Sequence, residues 1–84
     1  MALHTPMADA LAQATAYFVS QEDGEDREGI AAFWCEVAHC AANGPEAVVR
    51  YLGLVARYDA AIRAEDLAAE EQADRDLATF FAAM

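Results

Sequence analysis

Alanine supplies 22 of the 84 residues, nearly half of the 48 that are hydrophobic, and this choice narrows the fold more than any other. Alanine is the strongest helix former because it loses no rotamer freedom and buries no polar atom; Leu, Arg, Glu, Gln and Met follow it. The β-branched residues that favour strands number only ten, and four glycines and two prolines punctuate the chain. An all-α fold follows: a single domain over residues 1–84, built as a small bundle of three to four helices. The same choice limits the interior. With alanine set aside, 26 larger apolar side chains remain. Apolar burial yields about 25 cal/mol per Å², and a chain of this size hides roughly 60–65% of its unfolded surface. Burial and chain entropy then nearly cancel, so a second copy or a partner is expected to complete the fold. A homodimer is one form this could take.

The helices can be placed from their ends. Thr5 is a good N-cap and Pro6 suits the first helical position, where a missing N–H costs nothing, so the first helix covers about 6–20. Met7, Leu11, Ala14 and Phe18 recur at helical spacing, with Tyr17 beside them. The second helix, about 25–43, opens on Glu25, Asp26 and Glu28, which favour the positive end of the helix dipole. Its apolar stripe is Ile30, Phe33, Trp34, Val37 and Ala41, with Glu36, His39 and Asn43 opposite. Gly44 suits a left-handed terminus and Pro45 the start of the third helix, about 45–63, whose apolar face is Val48, Tyr51, Leu52, Val55, Tyr58 and Ile62. A fourth segment spans about 65–82. No breaker precedes it and Asp66 is its plausible cap, so the pattern also allows 45–82 to run on as one helix.

Composition excludes several classes of function. Fifteen acids against five arginines give a net charge of −10, which argues against direct nucleic-acid binding, because neutralising phosphates needs clustered cations. No stretch of about 20 apolar residues is free of charge, so no membrane span is expected. The N-terminus lacks a basic segment, and Asp9 and Gln13 interrupt the apolar run behind it, so no secretory signal is expected either. Cys35 and Cys40 lie about 140° apart on a helix and cannot bridge each other there. Free thiols in a reducing cytoplasm are the simpler reading.

Few residues invite chemistry. Glu36 and His39 have the Glu-x-x-His spacing that lets a carboxylate and an imidazole reach one metal. The helical wheel turns both away from the apolar stripe, so a metal-binding oligomer would need that face as its interface. Cys35 and His39 stand one turn apart, but zinc needs about four ligands and no second Cys/His pair exists. Ser20 is the sole serine and sits at a helix end with no glycine-rich turn around it. No metal, cofactor or catalytic residue is therefore expected.

The acidic clusters depart most from an ordinary surface. Glu22, Asp23, Glu25, Asp26 and Glu28 form the first, Glu65, Asp66, Glu70, Glu71, Asp74 and Asp76 the second. Asp66, Glu70 and Asp74 recur every four residues, a rise of about 6 Å per step that roughly imitates a phosphate strand. Such a row repels itself, with Glu71 and Arg75 the obvious compensating pair, and it steers toward basic surfaces. Beyond it Leu77, Phe80, Phe81 and Met84 form an apolar tip suited to an oligomer interface. In size, charge and lack of catalytic residues the chain resembles small acidic phage-borne inhibitors such as anti-CRISPR proteins, although no motif identifies a family. That resemblance implies an inhibitor or antitoxin-like module that mimics nucleic acid and occupies the basic surface of a nucleic-acid-handling protein. The competing expectations are a self-assembling scaffold docking through its apolar tip and a metal-binding oligomer using Glu36 and His39.

Overall fold

The computed structural model describes residues 5–20 and 27–84, with backbone alone at 27–29. The described residues form four helices and no strand: α1 (Pro6–Ser20), α2 (Arg27–Ala42), α3 (Pro45–Arg63) and α4 (Leu67–Ala82). None of the described helices is long and apolar enough to cross a membrane. The ends form as their residues dictate. The Thr5 hydroxyl accepts the Ala8 N–H at 3.0 Å, satisfying one of the donors a helix start leaves open. At the end of α2, Asn43 donates its amide to the His39 carbonyl, and Gly44 takes φ 114°, a conformation side chains resist. The expected start of α2 near residue 25 lies outside the described residues.

Residues 45–82 form two helices, and the stop between them is built without glycine. Glu65 sits at φ 53°, and its N–H bonds the Ile62 carbonyl at 3.1 Å. The Asp66 N–H reaches back to the Ala61 carbonyl at 2.9 Å. These two bonds satisfy carbonyls that the end of α3 would otherwise leave open, in the arrangement of a Schellman stop. Asp66 then leaves the helical region, and its carboxylate accepts the Ala69 N–H at 3.1 Å, capping α4. The fourth helix therefore starts two residues later than the charge pattern suggests.

The chain divides into two compact units, Met1–Val49 and Arg50–Met84, and the division falls within α3. In the first, Ala10 and Ala14 are buried on α1 and Val37 and Cys40 on α2. Their small side chains leave the bulk of the packing to rings. Phe33 stacks with Tyr17 at 6.2 Å and Phe18 at 5.9 Å, and Trp34 meets Phe33 edge-on at 5.1 Å. In the second unit Tyr51, Leu52, Ala61 and Ala73 are buried, and Tyr51 meets Phe81 at 5.8 Å between centroids. Two residues assigned to apolar faces are exposed instead, Leu11 at 37% and Ile62 at 45%. Ile62 lies in the last turn of α3, where the chain leaves the helix.

Truncating Tyr51, which is 2% exposed, to alanine is expected to cost about 3 kcal/mol, as for other large buried aromatics. Asp66→Ala should cost about 1 kcal/mol through the lost cap. Urea denaturation followed by circular dichroism measures both, and a Tyr51→Ala protein as stable as the wild type would contradict this packing.

Candidate functional site

The six carboxylates at the α3–α4 turn and along α4 do not act alike. Asp66 is committed to the helix cap. Asp76 is committed to a network: its carboxylate accepts the Arg57 guanidinium at 2.7 Å and the Gln72 amide at 2.9 Å. The hydrogen bond from Gln72, then that from Arg57, holds the Asp76 carboxyl below the usual aspartate range. Arg75, the expected partner of Glu71, turns instead to the Gln72 side chain at a long 3.4 Å. Glu65, Glu70, Glu71 and Asp74 form no ion pair among the described residues. Glu65, Glu71 and Asp74 are exposed and Glu70 is half-buried. The evenly spaced row of Asp66, Glu70 and Asp74 thus loses its first member to the cap. The available face is Glu71 and Asp74, with Glu70 at its edge and Glu65 at the turn.

That face has one large apolar member. Leu67 is 67% exposed, and Leu67, Glu71, Asp74 and Ala78 recur at the spacing that keeps residues on one side of a helix. On the other side of α4, facing α3, lies an open groove of about 530 Å³ lined by Arg50, Gly53, Leu54, Arg57, Thr79 and Phe80, among others. Gly53 is in mid-helix, and a Cβ placed there would meet nothing within 4 Å. Glycine at such a position costs roughly 0.5–1 kcal/mol relative to alanine. No packing among the described residues compensates for that.

The remaining residues singled out by the sequence separate clearly. Glu22, Asp23, Glu25 and Asp26 lie outside the described residues. Leu77, Phe80 and Phe81 are half-buried, while Met84 is 38% exposed. Phe80 and Phe81 meet at 5.3 Å, and Phe81 packs on Tyr51, so part of the apolar tip is used within the chain. Glu36 and His39 are exposed. Among the described residues, no group of three or more His, Cys, Asp or Glu is placed to hold a metal ion. The Ser20 hydroxyl donates to the Tyr17 carbonyl at 2.8 Å. Cys35 is exposed and Cys40 buried; burial, then the Glu36 charge, pushes the Cys40 thiol up. Two features of the structure carry no local sequence signal: the Arg57–Asp76 pair, nineteen residues apart, and the groove at Gly53.

Two measurements follow. Asp76 has a folded-state pKa below its unfolded value, so its contribution is fully present above about pH 4 and fades as pH falls through the lowered value. Carboxyl NMR should show Asp76 titrating below an ordinary aspartate, and Arg57→Gln should raise its midpoint. A thiol reagent at neutral pH should modify Cys35 quickly and Cys40 only after unfolding; equal rates would contradict the burial of Cys40. Comparison of the chain with family models, curated proteins and solved structures finds no match.

Proposed function

We propose that this protein is a non-enzymatic binding module whose carboxylate-bearing α4 face docks on a cationic surface of a partner protein. One observation carries the reading: Glu65, Glu70, Glu71 and Asp74 form no ion pair among the described residues, in a chain whose net charge is −10. Like charges one turn apart destabilise a helix by a few tenths of a kcal/mol per pair. Arg75, the one cation on α4, turns toward Gln72 rather than to these acids. A cationic partner relieves the repulsion, and the field of the whole chain draws that partner in.

The partner class that fits is a protein that handles nucleic acid, because such proteins carry basic surfaces shaped for phosphates. The role is then inhibitory or antitoxin-like, with carboxylates occupying the phosphate positions. Glu22, Asp23, Glu25 and Asp26 are further carboxylates of the sequence assigned to the same contact, and Leu67 adds an apolar anchor on the face of Glu71 and Asp74. The setting is the cytoplasm, where Cys35 and Cys40 stay as thiols.

The test is capture of the partner from the native host on immobilised protein, at about 50 and about 500 mM salt. The expected result is a basic protein retained at low salt and released at high salt. It should be lost from the Glu70→Gln, Glu71→Gln, Asp74→Asn variant at both. Retention that ignores salt and these substitutions would contradict the proposal.

A further inference from the structure

The groove between α3 and α4 and the exposed ridge of α4 complement each other, and we propose that the groove of one copy receives the Leu67–Glu71–Asp74 ridge of a second copy. The groove offers apolar lining from Leu54 and Phe80 and open space where a side chain at Gly53 would stand. A helix that packs on α3 can approach its backbone closely at that point, which gives this mid-helix glycine a reason that packing among the described residues does not. The groove also carries charge of the opposite sign to the molecule. Arg57 is neutralised by Asp76, whereas Arg50 is exposed and forms no ion pair among the described residues.

The occupant therefore needs a large apolar side chain for the space at Gly53 and a carboxylate for Arg50, one or two turns apart on a helix. α4 displays this set on its outer face. Leu67 is 67% exposed, more than any other large apolar residue described, and Glu71 and Asp74 follow it at i+4 and i+7. At 100° per residue, this ridge stands roughly 160° around α4 from Asp76, Thr79, Phe80 and Ala83, which face the groove. A copy cannot fill its own groove, and two copies joined by one such contact leave a ridge and a groove free. The contact is heterologous, so it propagates head to tail. This association uses the same α4 face as the cationic partner, which makes the two mutually exclusive.

Sedimentation of the full chain from about 5 to about 500 µM tests the proposal. The expected result is a weight-average mass that rises with concentration beyond that of the 9.1 kDa monomer. Gly53→Leu blocks the groove and leaves the ridge intact; Leu67→Ala cuts the ridge and leaves the groove intact. Each should weaken association at least about tenfold. Both substitutions fall at open or exposed positions, and circular dichroism should show both variants folded as the wild type.

The equimolar mixture of the two variants decides the geometry. It retains one intact groove and one intact ridge, so it should form a one-to-one pair and nothing larger. A chain that stays monomeric throughout overturns the proposal. So does association that neither substitution weakens, or a mixture that fails to restore pairing. Gly53→Leu leaves the carboxylates of α4 in place, so its capture of a cationic partner from the host reports on the proposed function separately.

Discussion

Burial by small side chains is the constraint from which the other features follow. Among the described residues nine are buried; four of them, Ala10, Ala14, Ala61 and Ala73, are alanines, and Cys40 is scarcely larger. Small residues let helices approach closely, yet each removes little apolar area from water, and burial free energy scales with that area. The load falls on a few rings: Phe33 with Tyr17, Phe18 and Trp34 in the first unit, and Tyr51 with Phe81 in the second. Larger apolar side chains that could have thickened the interior lie outside it. Val19, Leu67 and Ile62 are 61%, 67% and 45% exposed. A fold arranged this way leaves several of its larger apolar side chains at the surface.

Charge works within the same economy. The acids near and along α4 divide between holding the fold and facing outward. Asp66 ends one break in the backbone and begins the next helix, and Asp76 ties α4 to α3 through Arg57 with Gln72 bracing it. Arg57 neutralises Asp76, while Asp66 keeps its charge and is held by the N–H at the start of α4. Glu71 and Asp74 are left on the exposed side of α4 that also carries Leu67. The helix that shows this surface on one side closes the groove at Arg50 and Gly53 on the other.

The helices were largely legible because their ends use residues with specific backbone roles. Thr5 and Pro6 mark the start of α1, and Gly44 and Pro45 mark the turn into α3. The stripe of Ile30, Phe33, Trp34 and Val37 reads directly as the inward face of α2. The break between α3 and α4 was ambiguous for a definite reason: the left-handed position belongs to Glu65, and no glycine announces it. The site was less legible. The spacing of Asp66, Glu70 and Asp74 shows which side of a helix they share, but not that Asp66 would turn onto the Ala69 N–H. Glu71 and Arg75 have the right separation for an ion pair, and Gln72 competes for the guanidinium instead. Arg57 and Asp76 meet only through the packing of α3 on α4, which no local window contains.

We propose that so small an interior is completed by association. The most direct test is the urea midpoint of the isolated chain measured across protein concentrations from about 1 to about 500 µM, since stability drawn from association rises with concentration by mass action. The account predicts a midpoint that climbs steadily with concentration and a shallow, weakly protected state at the dilute end. A midpoint that is high and the same at every concentration would show an interior sufficient by itself, and would contradict it.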